Sequence, residues 1–313
     1  MKVVYLSRAG SGIPHPFISE QADALAQMYN IEIVHFLIKK GGISGYTSTI
    51  WELSQFIKSN KADIIHVHYG LWALIAVLNK YLFYKKVKVV ITFHGSDINK
   101  WSERKLSLLA AQFASHNILV SEKMARYFKT NFTLIPCGIN TDVKLIYREC
   151  TRIQNGWGDN NFVVLFCSRF DRDEKDASFA HQVIKELTSR TVKLVKFIEL
   201  KGYSRDQITC LMQAADALLM CSKREGSPQV VKEAILNSLP VVSNDIGDVS
   251  SICNGADNCF IVSKNVAEYV NRLKYISETG VRIQNRISLV ERFDNCHIAK
   301  KVYAIYKSAL DIK

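Results

Sequence analysis

Between residues 221 and 234 the chain runs Cys221-Ser222-Lys223-Arg224-Glu225-Gly226-Ser227-Pro228-Gln229-Val230-Val231-Lys232-Glu233-Ala234. An apolar segment, Ala217 to Cys221, precedes it and reads as a buried strand. A helical run from Val230 to Asn237 follows. Gly226 permits close backbone approach, and Pro228 suits the first turn of a helix, where a missing N–H costs little. The helix start turns free N–H groups and a positive dipole end towards whatever lies in front of it. Glu225 stands at the helix mouth, with Glu233 about two turns later. This pattern suits a ligand that carries both anionic and hydroxyl groups.

Outward from this stretch the chain alternates strands and helices twice. The first alternation opens with Lys2–Ser7, a strand running into Arg8-Ala9-Gly10-Ser11-Gly12-Ile13-Pro14-His15-Pro16 and a helix to Tyr29. Strand, glycine loop and helix form a phosphate-binding arrangement, although Gly-x-Gly-x-x-Gly is absent and a plain turn is an equal reading. Ile31–Ile38 is a second strand, followed by a loop with Gly41, Gly42 and Gly45 and a helix from Thr47. A third strand ends His66-x-His68, two histidines on one strand face. They could line a site, hold the fold or share a metal, but no third ligand stands nearby. Val87–Phe93 stops at His94-Gly95-Ser96-Asp97, which puts His94 at the carboxyl end of a strand, where α/β sheets carry their chemistry. Residues 143–160 read as an irregular linker. The second alternation opens with the apolar strand Phe162–Cys167, as expected of a parallel sheet covered on both faces. Arg169 and Lys175 follow it, and Gly202 sits in the turn Lys201-Gly202-Tyr203-Ser204.

Several features resemble the retaining glycosyltransferases of family 4, which have the GT-B fold: the Glu225-x7-Glu233 pair with its Glu-Gly-Ser-Pro and Lys-Glu-Ala context, Leu239-Pro240-Val241-Val242-Ser243, Thr92-Phe93-His94-Gly95-Ser96-Asp97, and the spacing of Arg169 and Lys175. The resemblance covers most of the chain and is best over 162–250. It implies an α/β architecture of two doubly wound, Rossmann-like domains facing a central cleft. Residues 1–150 would bind the acceptor and residues 151–290 the nucleotide sugar. The helix within 291–313 would cross back to the first domain. It further implies roles for single residues. Gly12 would approach the diphosphate closely, and His94 would face the transferred sugar. Arg169 and Lys175 would bind the diphosphate, the first as a fork and the second as a point charge. Glu225 with the backbone at Gly226, Ser227 and Pro228 would hold the sugar, Glu233 the ribose hydroxyls, and Gly202 part of the base pocket. The activity implied is transfer of a hexose or N-acetylhexosamine from a nucleoside-diphosphate sugar to a hydroxyl of a cell-envelope glycan or lipid-linked acceptor. Frequency within the family points to UDP. No metal or other cofactor is expected, because Arg169 and Lys175 already supply the charge.

Composition bounds the alternatives. The chain has 313 residues, enough for about two domains. Of its net +12, residues 1–150 carry 18 Lys and Arg against 10 Asp and Glu, the rest 23 against 19. Such a balance fits nucleic acid, an anionic membrane or phosphorylated ligands, and no nucleic-acid motif is present. The cluster Lys80-Tyr81-Leu82-Phe83-Tyr84-Lys85-Lys86-Val87-Lys88 reads either as a membrane interface or as an ordinary basic helix end. No signal segment or spanning helix is recognisable, which predicts a cytoplasmic protein, peripheral on the inner membrane face where it meets one. The eight scattered cysteines read as reduced thiols. Three rival readings remain: a GT-A transferase using Asp171 and Asp173 for a metal, a GT-B nucleotide-sugar epimerase, and a degenerate sugar-nucleotide-binding protein.

Overall fold

The computed structural model describes residues 1–10, 12–39, 42–129 and 131–311, with 42–47 described by their backbone alone. Ser11 and Gly41, named in the glycine loops above, lie outside the described residues. The chain divides into two compact units, residues 1–139 with 293–313 and residues 140–292.

Unit 1 contains β1 (Lys2–Arg8), α1 (Pro16–Met28), β2 (Glu32–Ile38), α2 (Gly42–Asn60), β3 (Ile64–His68), α3 (Gly70–Leu82), β4 (Lys88–Phe93), α4 (Ser96–Asn99), α5 (Trp101–Phe113), β5 (His116–Leu119) and β6 (Phe132–Leu134). Its strands form one parallel sheet in the order β2-β1-β3-β4-β5-β6. Unit 2 contains α6 (Arg148–Gln154), β7 (Asn161–Phe166), α7 (Ala177–Arg190), β8 (Leu194–Glu199), α8 (Arg205–Ala214), β9 (Ala217–Met220), α9 (Gln229–Leu236), β10 (Val241–Asn244), α10 (Val249–Cys253), β11 (Cys259–Val262), α11 (Val266–Thr279) and α12 (Arg286–Val290). Its sheet, also parallel, has the order β11-β10-β9-β7-β8. The last helix, α13 (Asn295–Ala309), belongs to unit 1. No helix among the described residues is long and apolar enough to cross a membrane.

Central strands β4 and β7 are buried along almost their whole length, which explains their unbroken apolar runs. One face of the unit 1 sheet packs under α3 and α5. The other face, with Val3, Tyr5, Ile64, Val90 and Ile118, packs under α1 and α13 through Ile18, Leu25, Ile298, Val302 and Tyr306. A polar relay pins α13 there. His66 Nδ1 lies 2.5 Å from the Tyr306 hydroxyl, which donates to the Tyr5 hydroxyl at 3.1 Å; that in turn donates to Gln21 Oε1 at 3.2 Å. His66 Nε2 is 2.7 Å from Thr92 Oγ1. With the tyrosine hydrogen spent on Tyr5, His66 must donate from Nδ1 and accept from Thr92. Both nitrogens are therefore engaged, and His66 is not poised as a metal ligand.

The structure revises three boundaries. The unit boundary falls at residues 139/140, where Ile139 donates to Phe293 O at 2.8 Å and Asn295 to Ile139 O at 3.0 Å, so exit and return of the chain are stitched together. The α2 helix begins at Gly42 rather than Thr47. Within the expected linker 143–160, residues Arg148–Gln154 form α6, a helix that local pattern does not announce. Its stability is tertiary: Arg148 Nη2 and Arg152 Nη1 pair with Asp216 at 2.7 and 3.3 Å, and both arginines also donate to carbonyls of the 213–215 segment. Asp216 Oδ2 accepts as well from the Val163 N–H at 2.8 Å, tying α6 to the first strand of the unit 2 sheet.

Removing the Asp216 carboxylate leaves Arg152, whose side chain is 13% exposed, with carbonyl acceptors but no Asp216 counter-charge. Asp216→Ala is expected to lower unfolding free energy by about 3 kcal/mol or more. Urea denaturation checks this, and a loss below about 1 kcal/mol, the size of a surface pair, would contradict it.

Candidate functional site

In unit 2 the chain moves from β7 outward to β8, then crosses to β9 on the other side of β7. The loops following β7 and β9 therefore diverge at a topological switch point, where open α/β sheets bind ligands. The loop after β7 ends in a 3-10 turn, Asp173–Lys175, closed by the left-handed Asp176 at φ 57°. The loop after β9 is Cys221–Pro228. The two are laced together: the Lys223 N–H donates to Glu174 O at 2.8 Å, and the Cys221 thiol lies 3.4 Å from Asp176 O. Asp176 accepts from Ser178 Oγ at 3.0 Å and Lys264 Nζ at 2.6 Å. Burial pushes the Cys167 thiol up to about 11 and Cys221 up to about 12, so both remain protonated packing groups.

At this junction Lys175 Nζ meets Glu225 Oε1 at 2.5 Å, with the two side chains only 9% and 11% exposed. The Glu225-Gly226 backbone rests on Gly247, which has φ +56°; a Cβ there would stand 2.3 Å from Gly226 O and 2.9 Å from Glu225 Cβ. The Asp248 N–H bonds Gly226 O at 2.9 Å. The close-approach glycine is thus Gly247. Gly226 does not take a positive φ and serves as the packed partner. Beside it the Ser227 hydroxyl is buried without a hydrogen-bond partner. Pro228 is the N-cap of α9 rather than a residue of its first turn, with φ −69° and ψ 114°. Glu233 stands one turn beyond the helix start at Gln229. The fully buried Lys232 precedes it, its Nζ 3.0 Å from Gln229 Oε1.

Glu233 Oε1 is ion-paired with Arg205 Nη1. Arg205 opens α8 directly after the N-cap Ser204, within the Ser204–Gln207 capping box, and the turn before it carries Gly202 at φ +80°. Arg205 was not among the sequence candidates. Its only signal was a position three residues past the Gly202 turn, because the two partners are 28 residues apart. Arg169 is exposed; its Nε meets Asp171 Oδ1 at 3.1 Å, and Lys201 approaches the same carboxylate at 3.8 Å. Asp173 pairs with Lys223 at 3.0 Å. The structure therefore gathers Lys175, Glu225, Gly226, Ser227 and Pro228, and ties Glu233 to the start of α8, three residues after Gly202. Asp171 and Asp173 each answer a cation.

Gly12 and His94 lie in unit 1. Gly12 has φ +75°, and its N–H donates to Ala9 O at 3.2 Å in the turn after β1. His94 follows β4. Its Nε2 is 3.1 Å from His68 Nδ1, and its Nδ1 is 3.4 Å from Cys137 Sγ. The rings of Phe17 and Tyr69 flank it at 5.0 and 4.7 Å. Tyr69 holds φ +79°, a costly conformation for a bulky side chain, and the next residue, Gly70, has room for no Cβ against Phe93. Asp97 fixes the loop by accepting the N–H groups of Gly70 at 2.8 Å, Gly95 at 2.9 Å and His94 at 3.3 Å. Both nitrogens of His94 are thus partnered within unit 1, so a ligand reaching the ring must displace His68 or Cys137.

Two doubly wound parallel sheets, each with polar loops at its switch point, define an α/β chain of the GT-B class. The model for Glycosyltransferase Family 4 matches residues 9–143, and that for Glycosyl transferases group 1 matches residues 178–279. The N-acetyl-alpha-D-glucosaminyl L-malate synthase of Bacillus anthracis is 20% identical over 300 residues, covering 83% of this chain and 78% of the relative. Among solved structures, sucrose-phosphate synthase from Thermosynechococcus elongatus superposes with a TM-score of 0.75 at 15% identity over 100% of both chains. The Anabaena HepE protein in complex with UDP and glucose superposes at 0.71 with 17% identity over 98% of this chain and 100% of that one. The chain belongs to glycosyltransferase family 4 and is a glycosyltransferase enzyme.

Burial lowers the pKa of His66 and His94 to about 3, with neighbouring histidine charge adding to the effect. A depressed folded-state value means the stability they contribute is whole above pH 6.5 and is lost as pH falls towards 3. Their ring proton NMR signals are expected to stay flat from pH 8 to pH 5; a titration midpoint near 6.5 would contradict the buried assignment.

Proposed function

We propose that the chain is a retaining transferase that moves a hexose or N-acetylhexosamine from a UDP-sugar to a hydroxyl of a cell-envelope glycan or lipid-linked saccharide. The observation that carries this reading is the Lys175–Glu225 pair, held nearly out of water beside the unpartnered Ser227 hydroxyl at the start of α9. An ammonium, a carboxylate, a hydroxyl and a helix N-terminus at one switch point match a ligand that is anionic at one end and polyhydroxylated at the other. The Anabaena neighbour bound to UDP and glucose supports a donor of that kind.

In this reading Lys175 binds the donor diphosphate, and Arg169 joins it by swinging from Asp171. Glu225, Ser227 and the backbone at Gly226 and Pro228 hold the sugar. Glu233 takes the ribose hydroxyls, displacing Arg205, and Gly202 borders the base. Gly12 and His94 take the diphosphate-facing and sugar-facing roles that the family resemblance implies. The anomeric C–O bond to phosphate breaks as the bond to the acceptor oxygen forms on the same face. The acceptor proton passes to the departing phosphate oxygen, and UDP leaves. Negative charge builds on that oxygen, and a fixed ammonium there stabilises the transition state more than the ground state. Lys175 and Arg169 supply the charge that a metal supplies elsewhere, so turnover needs no divalent ion. The reading places the enzyme in the cytoplasm, meeting its acceptor at the inner face of the plasma membrane.

Lys175→Ala and Glu225→Ala are each expected to lower kcat by about 10²–10³ or more, whereas Glu233→Ala mainly raises the donor KM. Chelator should leave wild-type turnover unchanged. Near-wild-type kcat in Lys175→Ala would overturn the diphosphate assignment, and loss of activity in chelator would restore the Asp171/Asp173 metal reading.

A further inference from the structure

Unit 1 carries an exposed apolar face that the donor chemistry does not use. The α3 and α5 helices lie side by side, and Tyr81 and Phe113 meet edge to face at 5.8 Å at their far ends. Along α5, Trp101, Lys105, Leu109 and Phe113 follow at intervals of four and form one line on the helix surface. Along α3, Leu78 with Tyr81 and Leu82, three and four residues on, shares one face, and Phe83 caps the end. All of these apolar side chains are exposed, from Leu78 at 42% to Trp101 at 68%. The one charged residue of α3 is Lys80, and those of α5, Glu103, Arg104 and Lys105, all lie in its first two turns. A contiguous patch of this kind marks an interaction surface.

The charge around it is predominantly positive. From 78 to 113 there are seven Lys and Arg against Asp97 and Glu103, and Asp97 is buried in the His94 loop. Unit 1 as a whole holds 20 Lys and Arg against 10 Asp and Glu, ten of the net +12. Two lysines lay their ammonium groups over rings of the patch: Lys80 over Tyr81 at 5.3 Å and Lys105 over Trp101 at 4.8 Å. Lys85 and Lys86 stand exposed just beyond α3. Tyr84 is the exception within the 80–88 cluster. It turns inward, its hydroxyl donating to Ser54 O at 2.8 Å.

We propose that this α3–α5 face docks on an anionic lipid bilayer. Rings and aliphatic side chains lie at the level of the headgroups while lysine stems carry their charges beside them, the arrangement of interfacial protein surfaces. Negative headgroups complement the lysines without demanding the shape match a protein partner would need. The surface deepens the proposal of a membrane-presented acceptor. It is tested separately, because vesicle binding requires neither donor nor acceptor.

The experiment is co-sedimentation of the full chain with phosphatidylglycerol–phosphatidylcholine vesicles and with phosphatidylcholine alone. The wild type should bind the anionic vesicles and not the neutral ones. Lys85→Glu with Lys86→Glu, and separately Leu82→Asp with Phe113→Ser, should each weaken binding about tenfold or more. Unchanged thermal midpoints would show that the variants fold. Equal binding by wild type and both variants would overturn the proposal, as would absence of wild-type binding. Loss of self-association in the variants without any vesicle binding would also overturn it, making a second copy the occupant.

Discussion

The second unit depends on the ion pair between Lys175 and Glu225. Neither group would stay buried without the other, because an isolated charge in that position costs several kcal/mol. The pair joins the two loops that leave the sheet on either side of its switch point. Around it, Asp176 is fixed by Ser178 and Lys264, and Gly247 supports the Glu225-Gly226 backbone without a side chain. The parallel sheet supplies position, the pair supplies charge of both signs, and the α9 N-terminus supplies N–H groups. Under the proposed function, a donor diphosphate entering this junction would find an ammonium already desolvated.

The first unit rests on a different buried network. Its outer helix, α13, is held by the Tyr306–Tyr5–His66 relay, which is uncharged throughout. Next to it His68 and His94 stack at 5.4 Å, and the Asp97 carboxylate collects the backbone amides of the loop that presents His94. Buried imidazoles crowded in this way remain neutral at physiological pH, so His94 acts as a hydrogen-bonding group and not as a cation. The strained Tyr69, in the turn between β3 and α3 beside the His94 ring, is a further sign that backbone comfort has been traded for placement of side chains.

Sequence alone reached far where periodicity carries the signal. The apolar runs 87–93 and 162–167 announced parallel strands, and the Glu225-x7-Glu233 context announced the family. It fell short where stability is tertiary. The polar α6 helix exists because Asp216 anchors two of its arginines, and no local pattern encodes that. The Arg205–Glu233 pair and the support of Glu225 by Gly247 join segments whose proximity only the sheet order creates. His94 was visible at a strand end, but its His68 and Cys137 partners were not. The exposed line on α5 reads in sequence as an ordinary amphipathic helix, since which face meets the sheet is settled by packing against α3.

The measurement that bears most directly on the account is thermal stabilisation of the purified protein, without added metal, by a panel of nucleoside diphosphates and their sugars, in wild type and Glu233→Ala. The account predicts a rise in melting temperature with uridine diphosphate and one or more of its sugars, much reduced in the variant. At a ligand concentration about 100 times Kd, binding adds about 2.7 kcal/mol, which is readily seen. No shift with any nucleotide, or an equal shift in wild type and variant, would contradict a donor site built around Lys175, Glu225 and Glu233.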